Sequence, residues 1–348
     1  MIKHAIIGTG GMANSHAREM AQIEGVQLVA CCDLFEDRVK AFADVHGIAE
    51  CYTDVAEMLA KCPIDSVSIV TPDGTHAALT LQAIEAGKHV LCEKPLATNV
   101  ADAEAMAQAA QKAGVINMVN FTYRKSSALQ RAAEWIQNGE LGRIYHVEAN
   151  YFQSWLNAKY WGDWKTESKW LWRLSTEHGS NGVLGDIGIH VLDFATYPVG
   201  GVANLYCQLK NFDKAPENRI GDYNLDANDT ALITLEFKNG AVGMVTTTRY
   251  ATGHRNSLSM RIYGELGTVR IDLDRAYDVL EFCRIDANGN TEPWQTLYCP
   301  PTPTVYESFI ESIKTGVQQQ PDFERGLEIQ KLLSASVESS KVDHKITF

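Results

Sequence analysis

The chain opens on short apolar runs separated by amphipathic stretches. Residues 2–7 are mostly apolar and stop at Gly8, residues 26–32 form a second such run, and apolar positions at helical spacing lie between them. Runs of this kind predict strands, and the 3.6-residue spacing predicts the helices that join them. The alternation continues through helix 35–46, helix 54–61, strand Ser66–Val70, helix Thr75–Ala86 closed by Gly87, strand His89–Cys92, helix Asn99–Ala113 closed by Gly114, and strand Val115–Phe121. Crossovers of that length specify a parallel sheet covered on both faces, with ligands at the carboxyl ends of its strands.

The pattern changes near residue 122. Helix 126–138 leads into strand Ile144–Tyr151, a tryptophan-rich irregular stretch and helix Asp186–Tyr197. Strands are then expected at 203–210, 230–237, 241–250, 257–263, 267–272 and 278–284, with hairpin signals at Lys238-Asn239-Gly240 and Gly264–Gly267. One terminal helix near Phe323–Ser340 closes the chain. The predicted fold class is α/β: a doubly wound parallel sheet over residues 1–121, then an α/β domain over 122–348 with a large, mostly antiparallel open sheet and helices on one face.

The first strand-to-helix turn reads Gly8-Thr9-Gly10-Gly11-Met12-Ala13. Gly8 permits the sharp turn, Gly10 lets backbone approach a pyrophosphate, and Ala13 keeps the helix close to the sheet. The helix N-terminus presents free N–H groups to the anion. Asp33 ends the second strand, where a carboxylate accepts hydrogen bonds from both ribose hydroxyls and repels a 2′-phosphate, so NAD is expected over NADP. Arg38 reads either as a solvated helix residue or as a group within reach of a 2′-phosphate.

Composition narrows the classes. The formal charge of −12 excludes the clustered positive surface that nucleic acid requires. No stretch approaches a membrane span and the apolar N-terminal run is too short for a signal peptide, so no membrane role and a cytoplasmic location are expected. The eight cysteines form no C-x-x-C pair and read as buried reduced thiols.

Two elements carry candidate chemistry. Cys92-Glu93-Lys94-Pro95 follows a strand, so Lys94 emerges at the carboxyl edge of the sheet, where an ammonium can polarise a substrate hydroxyl; a plain loop cation is the alternative. In Gly185–Asp193, positions 186, 190 and 193 fall along one helical stripe, giving either a histidine base with carboxylate neighbours or a self-satisfied Asp–His pair in a core. A metal site using Glu177 and His178 ranks below both, and no metal is expected.

Gly8–Ala13, Thr71-Pro72, Cys92–Pro95 and Gly182–His190, in that order, resemble the glucose–fructose oxidoreductase / inositol dehydrogenase / MocA family over nearly the whole chain. The resemblance implies an N-terminal Rossmann domain that binds NAD(P), a C-terminal domain that supplies the substrate pocket and an oligomer interface, and a cis bond before Pro95. It puts the catalytic roles on Lys94, Asp186 and His190. Gly8, Gly10, Gly11, Met12, Asp33, Thr71, Pro72, His76, Glu93, Lys94 and Asn120 become the candidate cofactor residues. The implied reaction is oxidation of a secondary alcohol of a sugar or cyclic polyol by hydride transfer to NAD, in a homo-oligomer (dimer or tetramer), with lysine and histidine meeting over one bound carbinol. A redox-neutral, NAD-retaining sugar enzyme and an NAD-binding regulatory protein are the alternatives. Trp155, Trp161, Trp164, Trp170 and Trp172 are interleaved with polar residues and suit either a sugar face or a subunit contact. Gln153, Trp172 and Arg173, with Lys94, Asp186 and His190, are the candidate substrate residues.

Overall fold

The computed structural model describes residues Met1–Phe348, which divide into two compact units: Met1–Thr122 with Pro303–Lys331, and Tyr123–Thr302 with Leu332–Phe348. The first unit contains β1 (Ile2–Ile7), α1 (Ala13–Gln22), β2 (Val26–Cys32), α2 (Glu36–His46), β3 (Glu50–Tyr52), α3 (Val55–Lys61), β4 (Ser66–Ile69), α4 (His76–Glu85), β5 (His89–Cys92), α5 (Val100–Ala113) and β6 (Asn117–Val119). Its six strands run parallel in the order β3-β2-β1-β4-β5-β6. The short β3 lies outside the strands expected from the hydrophobic pattern.

Local chemistry sets the helix starts. Asp54 and Asn99 each accept a backbone N–H from the third residue onward, capping α3 and α5. Ile6, Ala13, Ala17, Cys31, Val39, Phe42 and Val70 form the core between β1, β2 and the helices on one face.

The segment Pro303–Lys331, read from the hydrophobic pattern as part of the second domain, packs with the first unit. A helix over Val305–Thr315, missed in that reading, sets Val305, Tyr306, Phe309 and Ile310 against Met20, Leu91, Ile116 and Met118. Its sequence signal was a capping box, Thr304 with Glu307, which is formed. The final helix, Phe323–Val342, contributes its first residues to this unit and its last to the other.

The second unit holds α6 (Ser127–Gln137), β7 (Ile144–Phe152), α7 (Ser168–Leu171), α8 (Ile189–Val199), β8 (Val202–Lys210), the short pair β9 (Arg219–Ile220) and β10 (Tyr223–Asn224), β11 (Thr230–Phe237), β12 (Val242–Thr248), β13 (Ser257–Gly264), β14 (Gly267–Asp272), β15 (Val279–Arg284), β16 (Gln295–Tyr298) and β17 (Ile346–Thr347). Nine of these strands form one sheet, β16-β15-β14-β13-β7-β12-β11-β8-β17, in which β7 and β12 pair in parallel and the other neighbours are antiparallel. Burial alternates along β11, with Ala231, Ile233, Leu235 and Phe237 inward and Leu232, Thr234 and Glu236 outward. Helices α6 and α8 cover the inward face; Trp135 of α6 meets Phe282 of β15 edge to face at 5.0 Å.

Candidate active site

In the first unit Gly8 takes φ +94°, and a Cβ there would lie 2.5 Å from the Val70 carbonyl oxygen, so only glycine fits the turn. At Gly10 and Gly11 a Cβ would meet nothing within 4 Å, which leaves the space in front of the turn open. Helix α1 then starts without a capping side chain, behind an exposed Met12. Asp33 is pre-set by three donors: Oδ2 accepts from the Thr9 N–H (2.9 Å) and hydroxyl (2.8 Å), and Oδ1 from the Phe35 N–H (3.1 Å). Burial works against its charge, but these bonds and the Arg38 charge hold its pKa below the ordinary value. The Arg38 guanidinium lies over the Phe35 ring at 4.5 Å. An open glycine turn, an uncapped helix start and a fixed carboxylate at the next strand end together fit a dinucleotide with a free ribose.

A buried polar file lies beneath Lys94. His4 Nδ1 and Nε2 contact the hydroxyls of Ser66 (2.8 Å) and Ser68 (2.9 Å); Ser68 also contacts His16 Nδ1 (3.1 Å), and His16 Nε2 lies 2.8 Å from Glu93 Oε1. Asn120 Nδ2 donates to the same carboxylate oxygen at 2.7 Å and to the Tyr306 hydroxyl at 3.0 Å, while Glu93 Oε2 accepts the Lys94 backbone N–H at 3.1 Å. Burial alone would neutralise Glu93; the His16 and Asn120 bonds and the nearby Lys94 charge instead hold its pKa down at about 2. Burial lowers the pKa of His4 to about 3, so the file begins on a neutral ring. Lys94 is half-buried beside this anion, and the Lys94–Pro95 bond is cis.

His76, Glu93 and Asn120 were expected at the cofactor surface, and the fold turns their polar groups inward. The His76 ring is fully buried between the Pro95 carbonyl (Nδ1, 2.7 Å) and the Thr71 carbonyl (Nε2, 2.9 Å), tying together the two loops that carry Thr71-Pro72 and Lys94-Pro95. Burial opposes a charge there, yet the Cys92 sulfur and the two carbonyls raise its pKa to about 10.

In the second unit the Asp186 helix does not begin as a regular α-helix. Leu184–Gly188 is a π-helical turn that passes into α8, and the wider turn alters the angular relation between Asp186 and the residues after it. Asp186 sits between two guanidinium groups, Arg173 Nη1 at 3.2 Å and Arg249 Nη2 at 3.0 Å. Arg249 is fully buried, donates to the Arg173 carbonyl at 3.1 Å and lies over the Trp155 ring at 5.0 Å. Asp193 forms a buried ion pair with Arg124, whose guanidinium lies 4.1 Å over the Tyr197 ring. The two carboxylates of this segment thus pair with different cations, Asp193 with Arg124 and Asp186 with both Arg173 and Arg249. His190, half-buried, packs edge to face against Tyr123 at 4.9 Å.

The sequence profile described as the oxidoreductase family with an NAD-binding Rossmann fold (GFO_IDH_MocA) matches residues 2–121, and the GFO/IDH/MocA C-terminal domain profile matches residues 129–270. The chain belongs to the GFO/IDH/MocA oxidoreductase family. Among its relatives, a levoglucosan dehydrogenase of Pseudarthrobacter phenanthrenivorans is 28% identical over 84% of this chain and 82% of its own length. A D-glucoside 3-dehydrogenase of Escherichia coli is 27% identical over 99% and 97%. The solved structure of a levoglucosan dehydrogenase in complex with NADH and levoglucosan superposes with a TM-score of 0.87 at 26% identity, covering 99% of both chains. The first unit of this GFO/IDH/MocA oxidoreductase is thus its NAD-binding Rossmann domain.

Within this GFO/IDH/MocA chain the tryptophan-rich stretch splits by burial. Trp155 and Trp164 lie in a core cluster with Leu156, Leu171, Leu174 and Leu225, whereas Trp172 is 40% exposed with the Arg173 guanidinium 4.7 Å over its ring. Gln153, a candidate substrate residue, is buried and bonded to Asn256 and Trp155. Arg249, Arg124, Tyr123 and His16 escaped the sequence reading. Only His16 carried a signal, as a histidine on the buried stripe of Ala13, Ala17 and Met20. Seven of the eight free cysteines are buried and Cys51 is exposed. Among the described residues no His/Cys/Asp/Glu group is placed to hold a metal, and no helix is long and apolar enough to cross a membrane.

Replacing Asp33 with alanine removes a charged acceptor for the ribose hydroxyls, a bond class worth about 1.5–3 kcal/mol. NADH is expected to bind roughly 10- to 100-fold more weakly while NADP(H) loses less, read from the enhancement of NADH and NADPH fluorescence. Equal losses for both would remove Asp33 from the ribose site.

Proposed function

We propose that the chain oxidises a secondary alcohol of a sugar, anhydrosugar or cyclic polyol, with His190 as proton acceptor and Lys94 as the cation that polarises the reacting hydroxyl. One observation carries this reading: similarity over 99% of the chain to a dehydrogenase solved with NADH and levoglucosan; the roles of Lys94 and His190 follow from the family resemblance of their motifs. NAD, when bound, supplies the hydride acceptor.

The chain's own residues divide the rest of the work. Glu93, anchored by His16 and Asn120, keeps a negative charge beside Lys94, whose ammonium stabilises oxygen as it becomes alkoxide-like. His190 accepts the hydroxyl proton. Asp186, already paired with Arg173 and Arg249, is suited to orient a substrate hydroxyl as a fixed acceptor. Thr71, Pro72 and the glycine turn form the cofactor side, and Trp172 the sugar side. A homo-oligomer in the cytoplasm completes the reading, supported by Leu232, Val242 and Met244 standing exposed on the uncovered face of the nine-stranded sheet.

The test is a panel of inositols, aldoses, anhydrosugars and glycosides with NAD and with NADP, followed by NADH absorbance, with sedimentation velocity for the assembly. Accumulating NADH with one sugar class supports the dehydrogenase. Product formation without free NADH transfers the chain to the redox-neutral class, and a monomer under assay conditions removes the oligomer.

A further inference from the structure

A buried tryptophan dictates the direction of every hydrogen bond in a small network beside His190. The Trp155 indole N–H can only donate, and it lies 3.1 Å from Gln153 Oε1. That fixes the Gln153 amide, so its Nε2 donates to Asn256 Oδ1 at 2.8 Å. Asn256 Oδ1 also accepts the Tyr151 hydroxyl proton at 2.7 Å, and Asn256 Nδ2 donates to the Tyr123 oxygen at 3.1 Å. The two phenol oxygens are 2.7 Å apart, and since the Tyr151 proton is already committed to Asn256, Tyr123 donates to Tyr151. Tyr123, Tyr151 and Asn256 therefore close a ring in which both phenol protons are used and each phenol oxygen keeps one lone pair. Burial and the neighbouring Tyr123 push the Tyr151 pKa far above its ordinary value, so the ring stays neutral. Tyr123 packs edge to face on His190 at 4.9 Å and stacks on Tyr277 at 6.3 Å.

We infer that Asn256 is a positioning residue that sets substrate specificity, by making the Tyr123–Tyr151 pair an acceptor-only wall next to His190. Such a wall selects a substrate that presents a hydroxyl proton to it and disfavours one that presents only lone pairs. The inference rests on the proposed sugar site at His190. Gln153, a candidate substrate residue in the sequence, and Trp155, one of the tryptophans suited to either a sugar face or a subunit contact, become the source of the wall's polarity. Removing the Asn256 amide frees one phenol proton, and the pair then both donates and accepts.

Asn256 lies on an exposed loop, so its replacement tests polarity with little risk to folding. The first readout needs no turnover. With tyrosine labelled at Cζ with carbon-13 in mixed H₂O/D₂O, slowly exchanging hydroxyls give split resonances, assigned with the Tyr123→Phe and Tyr151→Phe variants. Two such hydroxyls are expected in the native protein and only one in Asn256→Leu, because the bond between the two phenols does not need Asn256; rapid exchange at both in the native protein overturns the ring whether or not the chain turns over sugar. The second readout compares the best panel substrate with its monodeoxyfluoro analogues. The native enzyme is expected to raise KM about 10- to 100-fold for one analogue, the cost of an acceptor facing an acceptor. Asn256→Leu should erase that difference while keeping kcat on the parent sugar. Discrimination that survives in Asn256→Leu, or a fall in kcat with KM unchanged, overturns the specificity role.

Discussion

Replacing His190 with glutamine is expected to lower kcat by about 10²- to 10⁴-fold, the contribution of a positioned general base, while NADH affinity stays at the native value. Glutamine approximates the reach and hydrogen bonding of the ring but cannot take a proton. The residues fitted to the dinucleotide, Gly8 to Met12 and Asp33, belong to the other unit, so the two effects separate cleanly. Edge-to-face packing on Tyr123 means that glutamine also loses some aromatic contact, so thermal unfolding should accompany the kinetics. The measurement pairs steady-state kcat with an NADH fluorescence titration. A variant with native turnover and native NADH affinity would remove His190 from the proton-transfer role, and one with weakened NADH binding would show that the loss is not specific to chemistry.

The largest stability effect is expected at Arg124. Its side chain and that of Asp193 are each 2% exposed, so Arg124→Met leaves a carboxylate buried without its cation. Breaking a buried pair on one side costs about 3–5 kcal/mol, whereas replacing both partners with apolar residues of similar volume is often neutral. Arg124→Met should therefore lower the urea midpoint sharply, and Arg124→Met/Asp193→Leu should restore most of it. All seven tryptophans lie in the second unit, so their fluorescence follows the unit that contains the pair and avoids treating the chain as one two-state system. A single variant with a native midpoint, or a double variant no better than the single, would contradict this account. The same pair anchors α8, so the single variant is also expected to loosen the helix that carries His190.

The two large-effect residues differ in how legible they were. His190 lay in a motif whose order along the chain, after Gly8–Ala13 and Cys92–Pro95, pointed to a family. Arg124 follows the last strand of the first sheet as one basic residue among several, and nothing in its neighbourhood announces a buried partner 69 residues away. Asp186 shows the intermediate case. Its type and motif were readable, but its two arginine partners come from the 3-10 turn Trp172–Leu174 and from the residue after β12, and the π-helical turn that aims it is not encoded by periodicity.

The hydrophobic pattern and the glycine turn by themselves determined the parallel first sheet, the mostly antiparallel second sheet, and the NAD-binding character of the first domain. Their signals are local: apolar spacing, a glycine turn of positive φ and a carboxylate at a strand end are each legible within a few residues. Tertiary structure alone decided that Pro303–Lys331 joins the first unit, that His16 and Asn120 hold Glu93 ionised, that Gln153 faces inward, and that Trp155 sets the polarity of two tyrosines. Each of those depends on buried polar groups finding partners far away in the chain, because an unpaired donor or charge in a core costs more than any local preference can offset. Sequence spacing carries no record of that search.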